Sequence, residues 1–248
     1  MNWPAAIGTI SSVALFLPII IIIFFGFFRY KNYLALVIYC LLAFVYNLMT
    51  EDIITTSGNI EKVWGIFNNL LDVPLMLLFI MMFSTSATQT FRMKIYLAVF
   101  VCFELIVIFL YGLSIKTITI VMGPGLVLIL VIGAYFFFMK VKQSIIHKKA
   151  LGRAFLTAAI VFAYGCFSFI YIMHYILALP DISNIFLIYH LVTIVYCSLL
   201  SIGLIIEKKR VKKLGELRVT RKELMQFFND ERKPSASRDS GNAQWKLN

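Results

Sequence analysis

The stretch IGTISSVALFLPIIIIIFFGFFR, residues 7–29, runs from Ile7 to Phe28 without a charge before it meets Arg29. A helix rises ~1.5 Å per residue and a bilayer core is ~30 Å thick, so a run of this length crosses the core. The pattern recurs at 34–50, 66–83, 95–113, 119–139, 154–179 and 185–206. Hydrophobic residues make up 61% of the 248 positions and charged residues only 14%. Soluble chains are about half apolar and about a quarter charged. Backbone polar groups in lipid must be satisfied within the segment, and no barrel-like alternation is present. The sequence therefore predicts an all-α, seven-transmembrane-helix bundle.

Orientation follows from the basic residues. The N-terminus lacks the basic region of a signal peptide, and the apolar run continues past any cleavage point, which predicts a retained first helix. With the N-terminus outside, every Lys and Arg except Lys62 and Lys116 falls on the inner side. That bias predicts an outside N-terminus and a cytoplasmic C-terminus, in a multi-pass protein of the plasma (cell inner) membrane. The net charge of +11 is then a topology signal, with no need of a nucleic-acid partner.

Three regions are expected: a transmembrane domain over 1–206, a basic juxtamembrane amphipathic helix over 207–230, and a disordered cytoplasmic tail over 231–248. Lys208, Lys209, Arg210, Lys212 and Lys213 form a stop-transfer cluster. Leu214, Leu217, Leu224, Phe227 and Phe228 then suit a helix on the anionic lipids of the inner leaflet, or a stalk for a cytoplasmic or membrane protein partner. Residues 51–64 form the longest outer loop and read as a short hairpin around Ser57-Gly58-Asn59. Met122-Gly123-Pro124-Gly125-Leu126 should kink or loosen the fifth helix. Cys40, Cys102, Cys166 and Cys197 are scattered, without C-x-x-C pairing, and read as small buried hydrophobes.

Polar side chains within spans are costly and normally face the bundle interior. Asn68 and Asp72 share one face of the third helix, in the outer half. Asn47, His174 and His190 are expected in the same layer, with Glu104 deeper on the fourth helix. Tyrosines form stripes: Tyr164, Ser168, Tyr171 and Tyr175 on the sixth helix, Tyr189, Thr193 and Tyr196 on the seventh, and Tyr39 and Tyr46 on the second. Asn47, Asn68, Asp72, Tyr171, His174, Tyr175 and His190 are thus candidate ligand-binding residues, with interhelical hydrogen bonding as the structural alternative. Glu104 and Asp72 are candidates for a proton or ion path. His174, His190 and Asp72 are weak candidates for zinc, without H-x-x-x-H or H-E-x-x-H spacing. No nucleophile motif or phosphate-binding glycine loop occurs.

Leu70 to Ile80, LLDVPLMLLFI, resembles the third helix of microbial rhodopsins, where Leu-Leu-Thr-Thr-Pro-Leu-Leu-Leu-Leu is typical. The resemblance implies a seven-helix bundle with an outside N-terminus and a hairpin after the second helix. It also exposes departures. Asn68 stands at the pump counterion position, Phe79 at the proton-donor position, and Asp72 where that family has threonine. No lysine occurs between Ile185 and Ile206, so no retinal Schiff base can form at the usual place and retinal is not expected as a cofactor.

These features favour a non-enzymatic membrane sensor or accessory protein that binds a small or lipidic molecule between helices and signals through its basic tail. The alternatives are a small transporter or ion-translocating protein using Glu104 and Asp72, and a metal-dependent membrane hydrolase.

Overall fold

The computed structural model describes residues 3–29, 31–51, 53–147, 150–177 and 182–231; the side chains of His174 and Tyr175 lie outside the described ones. Helices are α1 (Trp3–Phe24), α2 (Lys31–Thr50), α3 (Gly58–Ile80), α4 (Ala87–Tyr111), α5 (Ile115–His147), α6 (Leu151–Tyr171) and α7 (Ile182–Glu231). Each contains a segment long and apolar enough to cross a membrane, as the sequence predicts. Among the described residues there is no strand. The described residues up to Glu207 form one compact unit and those from Lys208 on a second.

Within the first unit α5 packs most extensively on α6, α2 on α3, and α1 on α2, while α3 reaches across to α5. The fourth helix leans on α3 and α5 alone among the pairings of any extent. Its outer face is bare, with Phe109 90% exposed and Leu110 beside it. An apolar surface of this kind is tolerable only where lipid covers it.

The interior is filled by Ile22 of α1, Leu36 of α2, Met76 and Phe79 of α3, Ile129 and Phe136 of α5, Leu156 and Ile160 of α6, and Leu200 and Leu204 of α7. Aromatic rings knit one end of the bundle: Phe27 stacks on Tyr33 at 4.9 Å, and Phe83 meets Phe79 at 5.6 Å and Phe136 at 6.3 Å. Two glycines with positive φ, Gly26 and Gly112, end α1 and α4, a backbone conformation that a β-carbon disfavours.

The hairpin expected over 51–64 does not form; Gly58 to Trp64 are the first turns of α3. The amides of Ile60 and Glu61 bond to the Ser57 carbonyl at 2.8 and 3.3 Å, and the acidic Glu61 complements the helix start. Trp64 Nε1 donates to the Leu42 carbonyl of α2 at 3.3 Å and pins the segment down. A lone two-stranded ribbon has no comparable partner.

Pro18, Pro74 and Pro124 all lie inside helices that continue through them. The glycines beside Pro124 serve close packing. A β-carbon at Gly125 would lie 2.6 Å from Val73 Cγ2 of α3, and one at Gly123 would lie 2.9 Å from the Tyr171 hydroxyl of α6. The expected tail helix lies within α7, which runs to Glu231; the expected disorder beyond it falls outside the described residues. Of the cysteines, Cys40 and Cys197 are buried, Cys166 is half-buried and Cys102 is exposed, so the expectation of buried hydrophobes holds for two.

Candidate functional site

The third helix carries Asp72 at the centre of the bundle, one turn below Asn68. Tyr164 of α6, itself buried, donates its hydroxyl to Asp72 Oδ1 at 2.6 Å. This is the length of a strong O–H···O⁻ bond. Asp72 Oδ2 accepts no hydrogen bond from a described residue, and Asp72 lines a cavity of about 110 Å³.

Five helices wall that cavity. Tyr39 and Ala43 come from α2, Asn68, Asn69 and Asp72 from α3, and Met122 and Leu126 from α5. Phe167, Ile170 and Tyr171 come from α6, and Tyr189 from α7. The rings hold one another: Phe167 stacks on Tyr189 at 5.6 Å, and Tyr39 meets Tyr196 edge-on at 6.4 Å. Asn69 Nδ2 donates to the Gly65 carbonyl at 2.7 Å, which ties one amide hydrogen to its own helix. The Tyr171 hydroxyl donates to the Thr119 carbonyl at 2.8 Å, crossing the gap that Gly123 leaves.

The single polar layer expected from the sequence divides into two groups. Asn68, Asp72 and Tyr171 share the cavity. Asn47 and His190 belong to a second cluster at the end of the bundle where α2 stops. There His190 Nδ1 lies 2.8 Å from Ser11 Oγ of α1, and His190 Nε2 lies 3.5 Å from Glu51 Oε1. Asn47 Nδ2 donates to Ser11 Oγ at 3.4 Å. His174 and Tyr175 have side chains outside those described.

Serine, histidine and an acid in one chain of contacts invite a hydrolytic reading, but the protons are placed otherwise. Ser11 donates its hydroxyl hydrogen to the Gly8 carbonyl at 2.8 Å, so toward His190 and Asn47 it is an acceptor. It is also wholly buried. A nucleophile must instead give its proton to the base and face the substrate. The cluster ties α1, α2 and α7 together. The sequence does not single out Ser11 or Glu51; Glu51, in the acidic pair Glu51-Asp52 where α2 meets the outer loop, is the available signal.

Glu104 is buried on α4, and its Oε1 has no partner among the described residues. It does not line the Asp72 cavity, and no described hydrogen bond links the two carboxyl groups. Among the described residues no three His, Cys, Asp or Glu side chains converge on a metal-sized gap. A further ion pair that sequence reasoning missed joins Arg153 of α6 to Glu207 of α7 at 3.0 Å, with Glu207 buried. Its signal was the single acid at the head of EKKRVKK.

A second, larger cavity of about 320 Å³ lies between α4 and α5, lined by Gln89, Arg92, Met93, Tyr96, Val131 and Tyr135 among others. Gln89 Nε2 donates to the Tyr135 hydroxyl across it at 3.1 Å.

Compared with known proteins, the chain matches no family model, no curated protein and no solved structure.

Proposed function

We propose that this chain is a non-enzymatic integral membrane sensor or accessory protein of the plasma membrane, with its N-terminus outside and its C-terminus in the cytoplasm. It binds a small molecule in the Asp72 cavity and signals through its basic tail. The observation that carries this reading is Asp72 itself, fixed by Tyr164 through one oxygen while the other accepts no hydrogen bond from a described residue, in a cavity shared by five helices. A ligand touching α2, α3, α5, α6 and α7 at once can bias their packing, provided it binds one arrangement better than another. Tyr189, in the cavity wall, is on the helix that continues through the basic cluster to Glu231.

The volume narrows the ligand. Drug-sized pockets are roughly 300–1,000 Å³, and a cavity of about 110 Å³ favours a ligand smaller than a whole lipid or retinal. On this reading the rhodopsin resemblance of α3 bears on architecture alone, and the ligand is set by this chain's own residues.

A thermal-shift panel tests the reading. Water-soluble cations, anions and neutral molecules of up to about eight non-hydrogen atoms are added to the purified full chain and to Ala43→Phe, which fills the cavity. At least one compound should raise the melting temperature of the natural chain and not of the variant, and change hydrogen exchange along 208–231. A panel without such a compound would remove the proposal.

The partnerless Oε1 of Glu104 favours a second reading, proton or ion translocation. It predicts flux in proteoliposomes that Glu104→Gln abolishes; unchanged flux in the variant, or none in the natural chain, rejects it.

A further inference from the structure

We propose that the Asp72 cavity selects a small alkylammonium cation, with Asp72 as its counterion and the rings of Tyr39, Phe167, Tyr171 and Tyr189 as its walls. This rests on the reading of the cavity as a ligand site and adds the chemical class.

Charge is the first argument. Among the described lining residues there is one carboxyl group and no Lys, Arg or His. One Asn69 amide hydrogen is engaged by Gly65, and its carbonyl oxygen is an acceptor without a described partner. Tyr171 has given its hydroxyl hydrogen to Thr119, and Tyr164 has given its own to Asp72. Both hydroxyl donors are thus engaged, while the Asp72 carboxylate and the Asn69 carbonyl oxygen remain as acceptors. An anion would meet a carboxylate there, with no Lys, Arg or His among the described lining residues; a cation meets an opposite charge.

The walls supply the second argument. Four of the lining residues carry aromatic rings, and an aromatic face is electronegative at its centre. Rings grouped around a carboxylate suit an organic cation whose charge is spread over alkyl groups. Ca²⁺ or Mg²⁺ would need about six or more oxygen ligands and Zn²⁺ about four N, S or O ligands, and among the described residues no three His, Cys, Asp or Glu converge there. Size is the third. At ~30 Å³ for each water in the liquid, the cavity's volume equals about four waters, the scale of an alkylated ammonium head group.

The probes are choline, tetramethylammonium, sodium chloride at matched ionic strength, and 3,3-dimethyl-1-butanol, the uncharged carbon counterpart of choline. They are applied to the purified full chain in lipid nanodiscs, with melting temperature and equilibrium dialysis of labelled choline as readouts. The expected result is a saturable rise in melting temperature with both ammonium compounds, one choline per chain, and no rise with the alcohol or the sodium salt. Asp72→Asn should weaken choline binding at least tenfold. Phe167→Leu, which keeps the carboxyl group, should weaken it severalfold, so the proposal stays testable if Asp72→Asn fails to fold.

An equal response to 3,3-dimethyl-1-butanol overturns the cation class while leaving the cavity a ligand site. So does an Ala43→Phe-sensitive response confined to anions or neutral molecules in the wider panel. Sodium acting as well as choline overturns the organic cation in favour of a hydrated ion. If nothing binds, Asp72 serves only to hold Tyr164, and both the class and the site reading fail.

Discussion

Gly8 is small because Glu51 needs the space. A β-carbon on Gly8 would overlap the Glu51 carboxylate, the group that faces His190. Gly8→Ala should therefore displace Glu51 and break its contact with His190, and because the clashing atoms are the far end of a flexible side chain the loss should stay below about 1 kcal/mol. Glu51→Ala alone should cost about the same, since the pair is part-exposed and 3.5 Å long. In the double variant most of the Gly8→Ala loss should disappear, because the clashing atoms are gone. Thermal denaturation of the four proteins in one detergent checks this; additive losses would show that Gly8 is limited by its own backbone. The same residues show what a sequence can disclose. Asn68 and Asp72 were legible because helical spacing alone puts them on one face. Asn47 and His190 were legible as buried polar groups, but their partner Ser11 was not. The Ser11–His190 contact joins positions 179 apart, and a serine in a membrane helix more often bonds its own backbone, as Ser12 does to Gly8. Three-dimensional placement, and nothing local, separates the Asp72 group from the His190 group.

Among the helices, close approaches are set by glycine, and their tolerance depends on what each glycine faces. A β-carbon at Gly152 would lie 2.8 Å from the Glu207 backbone nitrogen, so α6 and α7 must move apart as rigid bodies. At Gly123 the nearest atom is the tip of the Tyr171 side chain, which can turn away. Gly152→Ala should therefore destabilise by about 1–3 kcal/mol and Gly123→Ala by clearly less. The two alanine variants, melted side by side, decide this; a larger effect at Gly123 would mean that Tyr171 is held more tightly than a flexible ring should be. Gly152→Ala also presses on the Arg153–Glu207 pair, which lies at the same crossing. Element boundaries were partly legible. Each apolar run became a helix, because unpaired backbone in lipid is so costly that length and apolarity suffice. The residues 51–64 misled for the opposite reason. Outside the spans no such constraint operates, and Ile53, Ile54, Ile60 and Val63 mimic strand residues; the Trp64 contact with α2 and the bonds to the Ser57 carbonyl hold the helix there.

At the scale of the whole molecule, the lopsided distribution of Lys and Arg predicts which side each connection occupies. A cysteine placed at Ser57 should react with a membrane-impermeant maleimide in intact cells, and one at Gln143 only after permeabilisation. The reverse pattern would invert the topology and place the Asp72 cavity toward the cytoplasm. Native background should be low, since Cys40 and Cys197 are buried and Cys102, though exposed, lies within the α4 span.

The contact between Ser11 and His190 also has a consequence for biogenesis. It joins the first helix to the last, so the bundle is a ring whose closing link is made late. During synthesis α1 enters the bilayer long before His190 leaves the ribosome, and until then Ser11 lacks this partner. A nascent chain stalled before His190 is thus an open arc with a polar seam facing lipid, the form that membrane quality control is built to recognise. Once α7 arrives, the seam is sealed from both ends of the chain.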